Sequence, residues 1–491
     1  MIDPDTSRVV RRAALLLVGL LAATAGMYAT IVPVTSLLTP DELSNIAYGY
    51  SLVDGDLPTI YDDQQGGPYT YQSNRSIYTA NHPPLFYTLE GPLVSGLNLV
   101  TEADSAIRLA RWLSVGFAAL TALATVGLIS EFVPNRPQVW ILGAFMVALV
   151  PELAYQTANL YNDSLALFLS TSALWAGARI HRRGLTARPM IYLAICATGA
   201  ALTRASALPI ALLAVGTALL GILHSTRGPE RLRSSARLLL VTGLPMATIA
   251  GPFYLRNQRL YGDATASDAL FEMLGRKAVP TDWLFQFDNW RLVLAATLTT
   301  IRGDSYMTST STQLARNAVI PLCIVVLCAA AYVLFRLFFA RVARTERRRR
   351  VELALLAVAC VLITIAGFGR HVLGGGLPHA RYLFPTYWVI GLTVAIALRA
   401  LGNRVTGAVC ALLATASFLH LLIRLDRIVT RSWREETDVT VIDRWQTAYD
   451  HLGLGSLVIV LACGSAVVAC SVLLLRDIVT LGRPTTESAA V

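Results

Sequence analysis

The sequence predicts an all-α integral membrane protein, a polytopic bundle of about 12 transmembrane helices with amphipathic helices in the first long outer loop. Of its 491 residues, 55% are hydrophobic and only 15% are charged, whereas a soluble protein carries roughly 25% charged residues. The apolar residues occur in blocks of roughly 17 to 22, the length that crosses a hydrocarbon core of roughly 30 Å. Backbone polar groups in that core must pair internally, so each block is expected to be a helix.

The first apolar block resembles a signal peptide, but many similar blocks follow it, so it is interpreted as a retained span. We expect boundaries to be accurate to within about four residues. In chain order the predicted spans are 13–34, 109–130, 138–157, 161–178, 189–203, 206–223, 238–254, 317–338, 351–368, 384–400, 405–423 and 454–475.

Arginines in the short loops predict the orientation, because cytoplasmic loops carry an excess of basic residues. With a cytoplasmic N-terminus, every strongly basic short segment falls on one side. These segments are 8–12, 179–188, 227–237 and 341–350. The long segments on the other side are 35–108, 255–316, 369–383 and 424–453. The prediction is a multi-pass protein of the cell inner (cytoplasmic) membrane, with both termini cytoplasmic and a site that faces outward.

The charge and the cysteines exclude two other classes. The net charge of +10 comes from arginines between apolar blocks, which argues against a nucleic-acid partner. All seven cysteines lie in apolar blocks without metal-ligand spacing to histidine, so they are interpreted as small core residues. No cofactor is predicted. A divalent metal is compatible with paired acids and a phosphate, but no spacing in the sequence requires one.

The same pattern divides the chain into four parts. Residues 1–260 are predicted to form a transmembrane module that includes the first outer loop at 35–108. Residues 261–316 are expected to form the second outer loop, residues 317–475 a more variable transmembrane module, and residues 476–491 a polar cytoplasmic tail.

The first outer loop opens with Thr39-Pro40-Asp41-Glu42, which predicts the start of a helix on the membrane surface. Thr39 suits the N-cap, Pro40 the first helical position and Glu42 the third, which would complete a capping box. Glu42 is therefore either a capping residue or a functional acid. The box needs no acid at position 41, which favours a functional role for Asp41.

Two further polar motifs occur on the predicted outer side. His82 precedes a pair of prolines that either simply interrupt structure or place the imidazole in a site. Asp163 opens the fourth span within an Asn-Asp pair, where it either caps that helix or faces a cavity at the membrane surface.

Three arginines lie at the same predicted leaflet boundary. Arg204 occupies a tight turn against the positive-inside trend, so we expect an anionic partner for it. Arg256 ends the seventh span, and Arg381 precedes Tyr382 in an Arg-Tyr-Leu-Phe-Pro motif. Each could instead extend its charge toward lipid headgroups. Asp304 is a weaker candidate, typical of a turn.

Together these motifs resemble the GT-C membrane glycosyltransferases. The shared features are an acidic pair after the first span, His-Pro-Pro before the second, Asn-Asp at an outer helix start, and Arg-Tyr-Leu-Phe-Pro late in the chain. The similarity is to the protein-mannosyltransferase and aminoarabinose-transferase-like group, and to a bacterial membrane family of unassigned function with Pro-Asp-Glu and Arg-Tyr-x-x-Pro motifs. It covers most of the chain, and its individual motifs are short.

The resemblance implies a GT-C-like fold and inverting transfer of a sugar from a polyprenyl-phosphate donor to a glycan, lipid or protein acceptor. It implies that Asp41 is the general base. Where aminoarabinose-type enzymes often carry a lysine before Pro-Pro, this chain has His82, which shifts the expected phosphate contacts onto the arginines. The implied substrate-binding residues are Glu42, His82, Asp163, Arg204, Arg256, Arg381 and Tyr382.

Three other classes stay open at the level of sequence. A transporter would place ionisable residues near the bilayer midplane beside broken helices, whereas the spans here are almost purely apolar. A ligase or polymerase of lipid-linked polysaccharides would also face outward. A catalytically silent scaffold would keep the fold without the chemistry.

Overall fold

The computed structural model describes residues 4–34, 40–63, 76–299, 310–339, 344–433 and 440–482. These residues form helices and no β-strand, which confirms the predicted all-α class. The helices are α1 (Pro4–Ile31), α2 (Pro40–Val53), α3 (Leu85–Asn98), α4 (Ala103–Phe132), α5 (Pro137–Ala148), α6 (Pro151–Gln156), α7 (Asn162–Arg183), α8 (Ala187–Thr203), α9 (Leu208–Ser225), α10 (Gly228–Pro245), α11 (Gly251–Tyr261), α12 (Ser267–Met273), α13 (Phe287–Thr299), α14 (Thr310–Phe339), α15 (Arg344–Leu373), α16 (Tyr387–Ala400), α17 (Asn403–Trp433) and α18 (Val441–Leu481).

Among the described residues, eight helices are long and apolar enough to cross a membrane, so the chain is a multi-pass membrane protein. They are Pro4–Ile31, Ala103–Phe132, Ala205–Ser225, Gly228–Tyr261, Glu346–Leu373, Ala380–Ala400, Asn403–Val429 and Leu452–Leu481. The other four predicted spans also fall on helices, but the span 138–157 is not continuous: it is divided between α5 and α6. Three of these are shorter apolar helices, in α5, α8 and α14, and α7 is polar at both ends. The count of about twelve spans stays a prediction.

The first and last helices lie side by side. Helix α1 packs against α18 and α4, while α7 packs against α4, α8 and α9. Arg12 donates through Nε to the buried carboxylate of Asp477 at 3.0 Å. Helix α18 continues to Leu481, so residues 476–481 of the predicted tail are helical; the rest of that tail, from 483, lies outside the described residues.

Helix α2 begins at Pro40, which confirms the predicted helix in the first outer loop; Thr39 lies outside the described residues. Its apolar face packs against α3. The two helices approach closely at a pair of glycines, where a Cβ on Gly49 would lie 2.8 Å from the Cα of Gly91. This contact fixes the position of α2, the helix whose first turn holds Asp41.

Helix α7 defines two ends of the bundle. Its 22 residues span about 33 Å. The end that holds Asp163 is called the site end below. The opposite end, where Arg182 and Arg183 close the helix, is called the basic end.

Candidate functional site

Two acids and two arginines meet at the site end. Arg381 donates through Nη2 to Asp41 Oδ2 at 2.7 Å, and its Nη1 lies 3.6 Å from Asp163 Oδ2. Arg204 Nη1 lies 2.5 Å from Asp163 Oδ1. Arg381 therefore links two carboxylates that are far apart in the sequence, and Arg204 has the anionic partner expected for it.

Four separate elements bring these side chains together. Asp41 lies in the first turn of α2, and Asp163 in the first turn of α7. Arg204 lies in extended backbone (φ −157°, ψ 136°) between α8 and α9. Arg381 lies in a short 3-10 helix, Ala380–Thr386, that packs against α15 and α7. The N-cap of α7 is Tyr161, and the Asp163 carboxylate pairs with Arg204 and Arg381.

Burial distinguishes the two acids. The side chains of Asp163, Arg204 and Arg381 are 8%, 7% and 9% exposed, whereas that of Asp41 is 22% exposed. Charges interact more strongly in this low-dielectric setting than in water. The two acids and two arginines balance in charge, and Asp41 is the carboxylate that an incoming ligand reaches most readily.

Aromatic residues complete the cluster. The guanidinium of Arg204 lies 5.3 Å from the ring centre of Tyr382, and that of Arg381 lies 5.6 Å from it, within the range of cation–π attraction. Tyr78 donates its hydroxyl to Asp41 Oδ1 at 3.0 Å. Burial, together with the charge of Asp41, raises the pKa of Tyr78 well above its usual value, so the phenol remains a donor.

His82 lies within the electrostatic influence of the cluster. Burial and then Arg204 lower the pKa of His82 to about 3, so its ring is neutral near pH 7. Its backbone carbonyl accepts a hydrogen bond from Tyr48 at 3.1 Å. A neutral imidazole supplies a hydrogen bond rather than a positive charge, which separates its chemistry from that of a lysine at the same position.

Arg256 contacts the first outer loop. Its Nη2 donates to the carbonyls of Leu57 and Pro58 at 3.0 Å and 2.8 Å. Its Nη1 is buried without a hydrogen-bond partner in the described part of the chain. Arg256 therefore binds two backbone carbonyls of the first outer loop, and its Nη1 stays available as a donor.

Glu42 does not join the cluster. Both of its carboxylate oxygens accept hydrogen bonds from Arg111, at 2.8 Å and 2.6 Å, and the two side chains are fully buried. The same carboxylate accepts the backbone N–H of Leu160 at 3.0 Å. The oxygens of Glu42 are therefore occupied within the protein, and the substrate-binding role expected for it stays a prediction.

Arg111 and His371 were not singled out from the sequence. Arg111 lies inside the predicted span 109–130, and an ionisable residue in a span is itself a signal. It also donates to the carbonyl of Ala29 at 3.0 Å, near the end of α1. The His371 ring lies 4.3 Å from that of Tyr382. Its position in the polar outer segment 369–383 could have indicated a functional residue.

Asp304, the weaker candidate, lies outside the described residues.

An apolar groove of 610 Å³ lies beside α15. One wall is the last part of α15, including Arg370 and Leu373 on either side of His371. The complete lining is Leu284, Phe285, Trp290, Ile365, Ala366, Gly369, Arg370 and Leu373. The groove and the cluster share α15 as a neighbour, because the 3-10 helix that carries Arg381 packs against α15.

No family model and no curated protein matches the chain. Among solved structures, ArnT from Cupriavidus metallidurans bound to undecaprenyl phosphate is 14% identical, with a TM-score of 0.49 over 95% of this chain and 76% of that one. The Archaeoglobus fulgidus oligosaccharyltransferase in complex with zinc and sulfate is 16% identical, with a TM-score of 0.48 over 83% of this chain.

A complex of the archaeal oligosaccharyltransferase AglB with an inhibitory peptide and a dolichol-phosphate is 15% identical, with a TM-score of 0.42. The present chain spans 53% and 57% of the two oligosaccharyltransferase chains.

Proposed function

We propose that this protein is a membrane glycosyltransferase that transfers a sugar from a polyprenyl-phosphate donor to an acceptor at the outer face of the membrane, with inversion. The observation that carries the proposal is the cluster in which Arg381 links Asp41 to Asp163 beside Arg204. It combines a reachable carboxylate with two cations at the ends of apolar helices, where a lipid-linked phosphate would lie.

In this proposal Asp41 is the general base. Its carboxylate accepts hydrogen bonds from Tyr78 and Arg381. It takes the proton from the acceptor hydroxyl as that oxygen bonds to the anomeric carbon. The anomeric C–O bond to phosphate breaks, and its electron pair leaves with the lipid phosphate. Direct displacement of this kind inverts the anomeric centre, through an oxocarbenium-like transition state.

The arginines stabilise the leaving phosphate. Fixed cations in a site of low dielectric constant act strongly on charge that develops during reaction. Arg381 keeps a buried Nε without a hydrogen-bond partner among the described residues, and so does Arg256 at Nη1. These atoms offer donors to a phosphate without breaking an existing hydrogen bond.

The apolar groove supports a lipid-linked donor rather than a water-soluble one. It lies along the last part of α15, the helix against which the 3-10 helix that carries Arg381 packs. A prenyl tail in the groove would keep the phosphate at the level of Arg381. The sugar and the acceptor are left open by this arrangement.

The test is turnover by purified full-length protein with a panel of polyprenyl-phosphate sugars and a water-soluble sugar nucleotide. We expect release of polyprenyl phosphate with one or more lipid donors, and no release in the Asp41→Asn variant, since an amide cannot accept the proton. Asp54→Asn, which makes the same change in an exposed turn after α2, is the matched control and should retain turnover.

Normal turnover by Asp41→Asn in correctly inserted protein would refute the base assignment. Turnover with the sugar nucleotide alone would refute the lipid donor. Accumulation of an unmodified solute in vesicles, without any glycosyl transfer, would favour the transporter alternative.

A further inference from the structure

We propose a metal site at the basic end of the bundle, formed by His181, His224 and Glu352 and suited to a divalent transition metal such as zinc. His181 lies 18 positions after Asp163 on α7, so the two residues are about 27 Å apart along the helix. The proposed site is therefore separate from the charged cluster, and it does not depend on the proposed transferase activity.

The geometry is that of three ligands converging on one point. His181 Nε2 lies 2.8 Å from Glu352 Oε2, and His224 Nδ1 lies 3.1 Å from Glu352 Oε1. The three ligand atoms all lie within 4.8 Å of one another. Zinc–ligand bonds of roughly 2.0 Å in a tetrahedron place neighbouring ligand atoms roughly 3.3 Å apart. The two observed N–O separations, 2.8 Å and 3.1 Å, lie within about 0.5 Å of that spacing.

The fold brings the ligands from three different helices. His181 belongs to the last turn of α7, His224 to the last turn of α9, and Glu352 to α15. Helices α7 and α9 touch at Gly221, where a Cβ would overlap the backbone of His181. Since Gly221 lies one turn before His224, this close approach brings the two imidazoles to the same carboxylate.

The chemistry of the ligand set matches the proposed ion. Two imidazoles and a carboxylate suit zinc and its first-row neighbours better than calcium or magnesium, which prefer oxygen. Three protein ligands leave one tetrahedral position for water. The His181 and Glu352 side chains are 2% and 12% exposed, whereas that of His224 is 29% exposed, so an ion would enter past His224.

One neighbouring cation opposes metal binding. Arg348 donates through Nε to Glu352 Oε1 at 2.8 Å, and its side chain is 60% exposed. It competes with the metal for the same oxygen, and it can swing into solvent when an ion binds. Removing Arg348 should therefore strengthen metal binding, which a purely hydrogen-bonded cluster does not predict.

The experiment uses full-length protein in detergent, with its affinity tag removed and its metal stripped by a chelator. Cobalt is titrated while visible d–d absorption is recorded, and zinc affinity is measured by competition. We expect about one ion per chain and a zinc-dependent rise in melting temperature. His224→Asn, at the most exposed ligand, should weaken zinc binding at least about tenfold and abolish the thermal shift.

His379→Asn, a histidine in the opposite, outer segment, is the matched control and should bind zinc as the wild type does. Arg348→Ala should bind zinc more tightly than the wild type. The proposal fails if the wild type binds no zinc at micromolar concentrations, or if His224→Asn binds as tightly as the wild type. If His224→Asn does not fold, unchanged or weaker binding by Arg348→Ala overturns the proposal.

Discussion

Among single residues, the neighbouring acids Asp41 and Glu42 have different surroundings. Successive residues on a helix point about 100° apart, so Asp41 reaches Arg381 while Glu42 reaches Arg111. The sequence predicted that this acidic pair mattered and favoured Asp41. It could not assign Glu42, because the partner that occupies it lies 69 positions further along, inside an apolar span.

The neutral state of His82 predicts how stability depends on pH. Its pKa is about 3 in the folded protein against 6.5 as the usual value, so the unfolded chain binds more protons between these limits. Stability therefore falls as the pH drops below about 6.5. Between pH 7 and pH 5 this one group should cost at most about 2 kcal/mol, an upper bound because the ring is only partly buried.

The measurement is the melting temperature at pH 7 and pH 5 for the wild type and for His82→Asn, which cannot titrate. We expect a smaller loss of stability on acidification in the variant. Equal losses in both proteins would mean that His82 does not carry this pH dependence.

Among the helices, the close contact between α2 and α3 gives a prediction with an internal control. A Cβ at Gly91 would overlap the carbonyl of Gly49, so Gly91→Ala should push the two helices apart. We expect a destabilisation of about 1–3 kcal/mol, typical of overpacking, and a loss of transferase activity because α2 carries Asp41. Both effects are measured on the same purified protein, by thermal unfolding and by turnover.

Gly96→Ala makes the same change five residues further along α3, where an added Cβ meets nothing within 4 Å. Because alanine favours helix over glycine, this variant should be neutral or more stable by up to about 1 kcal/mol. Equal destabilisation by the two changes would show that the effect comes from α3 itself and not from its contact with α2.

The helices also show what periodicity does and does not reveal. The predicted apolar blocks fall on helices, with the block 138–157 divided between α5 and α6, because block length and composition indicate helical segments. The short 3-10 helix at Ala380–Thr386 had no such signal. It presents Arg381 and Tyr382 through contacts with α15 and α7, which depend on residues distant in sequence.

In the whole molecule, the candidate site joins residues that are far apart in the sequence. Asp41 and Arg381 are 340 positions apart and form a direct ion pair. Predicted sidedness was enough to place Asp41, Asp163, Arg204 and Arg381 on one face. It could not show that Arg381 contacts both acids while Arg256 contacts loop carbonyls. Sidedness predicts the level of a residue along the bundle axis, but not its position around that axis.

This difference between the two arginines gives the last prediction. If the cluster binds the donor phosphate, Arg381→Ala should raise the KM for donor about ten- to a hundredfold, the loss expected for a hydrogen bond to a charged group, and should change the acceptor KM less. Arg256→Ala should act in the same direction but more weakly, because Arg256 contacts loop carbonyls rather than the acids. Initial rates with each substrate varied in turn separate the two constants.

Arg259→Ala, an exposed arginine later in α11, controls for loss of surface charge. Equal increases in the donor and acceptor KM for Arg381→Ala would mean that the residue only positions Asp41 and Asp163, and the phosphate contact would then have to come from other residues.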